Sequence, residues 1–276
     1  MPTPSETELA GLRREVDRID RAVVELLAER LHVVRAIAAL KRQETDGRPA
    51  IRPGREAAIL RRLVAQAGGR FPTATLVRMW RELLAATTRA QAPLAVAACV
   101  PPGREALWDL ARDHFGAIAP LRRIAHSAAA LRLVREGEAD LVVLPVPGTG
   151  ESWWVDLAAT GLRVVAALPF VGSGIDALVV GAFPPDPSGD DLTLLSVATA
   201  DDLTEDRLGE LLRAVGLVPR QLDAVPAGER RLLRLVELEG FFAAGDERVA
   251  ALVEPGRLVL RCTWLGGYAR PLAVGD

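Results

Sequence analysis

Cysteine is almost absent from this sequence: Cys99 and Cys262 are its two thiols in 276 residues. Two thiols so far apart exclude a disulfide framework or a thiolate metal site, and their strand-like settings predict buried, reduced side chains. The three histidines, His32, His114 and His126, have no ligand spacing, so no metal is expected. Long apolar runs are missing too. Nothing approaches the roughly 18 residues needed to span a bilayer, and the opening MPTPSETELAGL lacks a basic region followed by an apolar one. The expected address is therefore cytoplasmic, with no membrane contact. Neither sign of charge dominates, with 34 Lys and Arg against 36 Asp and Glu, which leaves no basic field for nucleic acid. Phosphate-loop and dinucleotide fingerprints are also lacking. Pro147-Gly148-Thr149-Gly150 and Gly172-Ser173-Gly174 read as ordinary turns. What remains is a globular composition, 25% charged and 50% hydrophobic, sufficient for one large or two to three small packed domains.

The stretch from Leu9 to Arg42 organises the rest. Leu9, Leu12, Val16, Ile19, Val23, Leu26, Val33, Ile37 and Leu40 alternate in threes and fours, the mark of one long helix with a single seam to bury. Ser5 or Thr7 can cap it, and Lys41 and Arg42 suit its C-terminal end. Between Leu26 and Val33 the seam position holds Arg30. A lone guanidinium on an apolar face is costly unless an anion meets it, so the helix reads as one wall of an anion site. After a loop containing Asp46-Gly47, Pro49 and Pro53, a second helix starts near Arg55 and ends at Gly68-Gly69. Pro72 opens a third, with the stripe Leu76, Trp80, Leu84 continuing through Thr87 and Gln91 to Pro93.

Beyond Pro93 short β-branched runs alternate with helices. Strands are expected at Leu94 to Val100, Leu141 to Val146, Leu162 to Leu168 and Ala177 to Val180, with helices near Arg104 to His114 and Ala128 to Glu136. A joint from Phe183 to Asp191 then leads into a βαββαβ order, which is ferredoxin-like. The fold class is thus α plus α/β plus α+β, with expected domains at 1–92, 93–190 and 191–276.

Several polar residues in the helical part occupy positions where apolar ones belong or where they converge. Lys41 lies eleven residues after Arg30, about 20° around the helix and roughly 16 Å along it. Arg55 and Glu56 open the second helix, and Thr87 and Gln91 extend the stripe of the third. Together they suit a compact dicarboxylate carrying a hydroxyl. Arg13, 17 residues before Arg30, lies roughly 25 Å away along the axis, too far to share that ligand. If Arg13 acts, it acts in another chain's site, and two such helices packed antiparallel would bring it there.

The run Leu12-Arg13, Ile19-Asp20, Leu26-Leu27-Ala28-Glu29-Arg30, Lys41, Arg48-Pro49, Gly54-Arg55-Glu56, Trp80, Thr87 and Gln91 resembles the all-helical chorismate mutases of the AroQ class over residues 1 to about 92. The resemblance implies an intertwined homodimer of three-helix chains, each site completed by an arginine of the other chain. It implies that Arg13 is that donated arginine, that Arg30 and Arg55 hold the substrate carboxylates, that Lys41 and Gln91 address the ether oxygen, and that Glu56 and Thr87 face the ring hydroxyl. The implied reaction, chorismate to prephenate in phenylalanine and tyrosine biosynthesis, is an intramolecular rearrangement needing no metal and no cofactor. Two departures are visible: Arg52 stands where an acidic residue usually precedes the Arg-Glu pair, and Thr87 where a serine or similar is usual.

Ala128 to Val146, with Glu138-Ala139-Asp140 leading into Leu141 to Pro145, resembles the first lobe of prephenate dehydratase, a periplasmic-binding-protein-like fold. The tail, with Leu235-Val236-Glu237-Leu238-Glu239-Gly240, resembles the ACT regulatory domain, which implies an aromatic amino acid as effector. The second lobe is missing between Val180 and Asp191, and the catalytic Thr-Arg-Phe is at best Thr193-Leu194-Leu195. No dehydratase activity is expected of a chain without that arginine. The alternatives are a bifunctional mutase and dehydratase, or a non-catalytic sensor of aromatic amino acids in which the helices only dimerise.

Overall fold

The computed structural model describes residues 6–41, 51–148, 152–253 and 258–273. Helix α1, Glu6–Lys41, runs unbroken for 36 residues with Glu6 and Glu8 in its first turn, where the macrodipole favours acid. The expected cap Ser5, the end at Arg42, the loop pair Arg48-Pro49 and the turn residues Thr149 and Gly150 lie outside the described residues, as do the side chains of Thr7 and Lys41. Helix α2, Pro53–Ala67, opens on a proline, whose missing N–H is harmless there. It closes on Gly68 at φ 55, whose N–H donates to the Val64 carbonyl. Helix α3 follows at Thr73–Arg89. Among the described residues, α1 groups with Ala86–Pro93 in one unit, and the remainder, Ile51–Ala85 and Leu94 onward, forms a second.

In the first unit the apolar seam of α1 is exposed: Leu12, Leu26 and Leu40 are 60%, 63% and 81% accessible. Within this unit the expected burial of that seam is not supplied.

Among the described residues the second unit has nine strands. The first five are β1 Val96–Cys99, β2 Leu121–Ile124, β3 Leu141–Pro145, β4 Arg163–Leu168 and β5 Ala177–Gly181, interleaved with α4 Ala106–Phe115, α5 Ser127–Arg135 and α6 Trp154–Thr160. The rest are β6 Asp191–Ala200, α7 Glu205–Ala214, β7 Pro219–Pro226, β8 Arg231–Glu239, α8 Glu247–Ala250 and β9 Val259–Ala269. The strand order is β2-β1-β3-β5-β4-β9-β6-β8-β7. The first half is mixed, with β1 parallel to β2 and β3, and β5 antiparallel to β3 and β4. The second half is antiparallel in the order β9-β6-β8-β7, the ferredoxin-like arrangement that the βαββαβ pattern predicts. The halves meet where Val164 of β4 pairs with Gly266 of β9. A Cβ on Gly266 would lie 2.2 Å from the Val164 carbonyl oxygen, so only glycine admits that approach. Strand β2 lies outside the expected strands; its sequence LRRI is short and half arginine, as an edge strand can be.

Every residue of β1, β3 and β5 is buried, which is why these strands read as continuous apolar runs rather than alternating ones. Trp153 and Trp154 lie in the core, their indole N–H groups donating to the Pro145 carbonyl at 2.9 Å and to Asp223 at 2.8 Å. Cys99 is buried as expected, its Sγ 3.5 Å from Ser127 Oγ, whereas Cys262 is only partly covered; neither forms a disulfide, and burial pushes the Cys262 thiol up to about 11. Helices α2 and α3 join this unit through a cluster of Ala57, Leu60, Val77 and Leu84 around Phe170. Arg61 of α2 fastens them further, donating to the backbone oxygens of Ser188, Asp190 and Arg270.

Candidate active site

The first unit carries Arg13, Arg30, Lys41, Thr87 and Gln91, and the second carries Arg55 and Glu56. Arg30 is half-buried on α1, and its Nη1 is wholly buried without a hydrogen-bond partner among the described residues. Burial lowers its pKa below the ordinary arginine value. A buried guanidinium N–H without an acceptor is a costly arrangement that an anionic ligand relieves. Arg13 is exposed on the same helix. Lys41 is the last residue of α1, which fixes its backbone on the rod that carries Arg30. Thr87 is buried near the end of α3, and Gln91 stands one turn on, its side-chain Nε2 donating to the Thr87 carbonyl at 3.1 Å. An amide nitrogen has two hydrogens, so this bond leaves Gln91 one N–H to offer.

The start of α2 is set from a distance. Asp186, in the joint before β6, accepts from the backbone N–H groups of Gly54 at 3.0 Å and Arg55 at 3.2 Å, and pairs with Arg52 at 3.2 Å. A carboxylate there satisfies the helix's first free donors. Arg52, the departure from the usual acidic residue, thus partners an acid supplied elsewhere in the chain. A Cβ on Gly54 would lie 2.0 Å from the Asp186 carbonyl oxygen, so this junction requires glycine. Arg55 is exposed, and its backbone N–H is held by Asp186.

Glu56 is differently placed. Its Oε2 accepts from Arg81 Nη1 at 2.9 Å, and both partners are buried more deeply than surface pairs. Burial raises the Glu56 pKa while Arg81 opposes that rise. Spacing alone does not single out Arg81, because the competing stripe through Leu76 and Trp80 is equally helical, although those two residues are only half-buried. The buried face of α3 runs through Val77, Arg81, Leu84 and Thr87. Spacings of four, three and three are as helical as the other choice, and an arginine inside them is the same signal that singled out Arg30.

Residues 12–92 match the family described as chorismate mutase type II. The bifunctional chorismate mutase/prephenate dehydratase of Neisseria gonorrhoeae is 31% identical over 140 residues, 50% of this chain and 37% of that protein. Its namesake in Pseudomonas aeruginosa is 28% identical over 149 residues, 53% of this chain and 40% of the relative. The chain therefore matches well under half of the length of these curated relatives. Among solved structures, prephenate dehydratase from Streptococcus mutans aligns with 65% of this chain and 100% of its own at 15% identity and a TM-score of 0.46.

Proposed function

We propose that this chain, whose residues 12–92 carry a chorismate mutase type II domain, converts chorismate to prephenate in the cytoplasm as a homodimer. The observation that carries the reading is Arg30, a guanidinium inside the matched stretch with a buried N–H that no described residue accepts. A dicarboxylate substrate provides the missing acceptor.

In this reading Arg30 and Arg55 grip the two carboxylates and hold the enolpyruvyl group over the ring, a pre-organisation able to supply several kcal/mol. Lys41 and the free N–H of Gln91 donate to the ether oxygen as its bond breaks and charge grows on it. Thr87 and Glu56 serve the ring hydroxyl, with Arg81 holding Glu56 in place. The rearrangement is unimolecular, so positioning and charge stabilisation suffice. The exposed apolar seam of α1 supports the homodimer. An antiparallel partner covers it and brings Arg13 to the other chain's site. The functional division remains 1–92, 93–190 and 191–276, the second part being a degenerate dehydratase-like region and the third an ACT-like one that takes an aromatic amino acid as effector.

The test is prephenate formation by the full-length chain and by Lys41→Ala, with phenylpyruvate followed in the same reaction and phenylalanine or tyrosine added in turn. Prephenate accumulation without phenylpyruvate is expected, together with loss of turnover in the variant at unchanged helicity. Near-normal turnover of Lys41→Ala sinks the assignment.

A further inference from the structure

The second unit contains a cavity of about 400 Å³ between α3, α4 and the chain leaving β4. Most of its wall is hydrocarbon, supplied by Val77, Leu110, Leu168 and Phe170. Its polar groups come from Thr75, Arg78, Arg81, Asp113 and His114. Arg81 is 5% exposed. Its Nη1 is committed to Glu56 at 2.9 Å, its guanidinium faces the Phe170 ring at 5.2 Å, and its Nε is wholly buried without an acceptor among the described residues. His114 makes no hydrogen bond to a described residue, and burial together with the Arg81 charge holds its pKa well below the ordinary histidine value. Arg78 and Asp113, also on the wall, pair with each other at 2.7 Å.

These observations specify an occupant. Arg81 lines the cavity with guanidinium N–H groups beyond the one given to Glu56, and a polar group on an otherwise apolar wall is what fixes a ligand's orientation, so the site calls for an acceptor from outside the chain. The charges around the cavity already cancel, Arg81 with Glu56 and Arg78 with Asp113, so an added anion enters an apolar chamber with no spare cation to meet it. A neutral oxygen acceptor meets no such penalty. We propose that this cavity is a binding site for an uncharged small molecule with an apolar body and one carbonyl oxygen, the carbonyl accepting from Arg81 and the body lying against Val77, Leu110 and Phe170. The cavity wall contains none of the residues assigned to chorismate, and Arg81 touches that set only through its bond to Glu56.

Calorimetric titration of the full-length chain with hydrocinnamamide, hydrocinnamate and propylbenzene tests it, since the three share one apolar body and differ in the oxygen. The amide should bind saturably, and the carboxylate and the hydrocarbon at least about tenfold more weakly, the discrimination expected when a buried donor is left unpaired or a charge uncompensated. Ala74→Trp, on the exposed first turn of α3 at the cavity wall, should abolish amide binding with the thermal midpoint unchanged; Thr75→Trp on the same turn serves if the first variant misfolds. Carboxylate binding as tight as the amide overturns the choice of an uncharged ligand. Absence of saturable amide binding, or amide binding indifferent to both tryptophans, overturns the site.

Discussion

Val16, Ile19, Val23 and Leu26 of α1 are as apolar as Val142, Val143, Leu178 and Val179 of β3 and β5, yet the first set is exposed and the second fully buried. The strands sit inside a nine-stranded sheet with helices that complete their own core. Helix α1 presents a seam as long as itself and covers little of it. Periodicity therefore tells which face seeks cover, while the source of that cover is a separate matter. A region that buries its apolar face within the chain should be judged by its stability, and one that does not by its association.

The widest gap between the two regions should appear on truncation of a large side chain. Trp154 is completely buried and its indole donates to Asp223. Trp154→Ala should lower unfolding free energy by about 3–5 kcal/mol in urea titration, whereas Leu26→Ala on α1 should change it by less than about 1 kcal/mol at dilute monomer concentration. Equal losses would mean that α1 belongs to the same cooperative core.

Function should divide in the opposite sense. Arg30→Ala, a change of a half-buried residue on the exposed helix, should reduce prephenate formation by about 100- to 1000-fold with unchanged far-ultraviolet circular dichroism. Next in size, Val23→Glu places a charge on the seam. It should weaken self-association by about 10- to 100-fold in sedimentation experiments, from the lost burial of one side chain alone. Turnover should fall with it at low protein concentration, because Arg13 then loses its neighbour. Turnover independent of concentration would remove Arg13 from the site.

Much of this was legible from residues. The long helix and the half-buried place of Arg30 on it followed from spacing, and the ferredoxin-like order followed from the alternation of strands and helices. The single sheet uniting β4 with β9 was not legible, because it depends on one close approach at Gly266 between segments about a hundred residues apart. The support of α2 by Asp186 was hidden for the same reason: no local pattern links Gly54 to a carboxylate in a distant loop. Arg81 was legible in principle and missed because two helical stripes on α3 compete, and only packing around Phe170 decides between them.

The smallest predicted effect is a pH dependence confined to the self-sufficient unit. His114 is packed beside Arg81, and burial with that charge holds its pKa well below 6.5. The unfolded chain binds this proton near 6.5 and the folded chain resists it, so stability should fall as pH drops below about 6.5, with a slope of up to about 1.4 kcal/mol per pH unit. Glu56 acts in the other direction. Its raised pKa means that the folded state holds the proton more tightly, so it contributes stability that is lost as pH rises above the ordinary 4.5. Where the two windows overlap, Glu56 partly offsets His114. Replacing the imidazole by an amide in His114→Gln removes the first effect and keeps the second. Urea midpoints measured from pH 7 to pH 5 should therefore fall more steeply in the parent chain than in the variant. Parallel curves would show that the buried imidazole does not govern acid sensitivity, and that the α3–α4 contact holds equally well with the proton on.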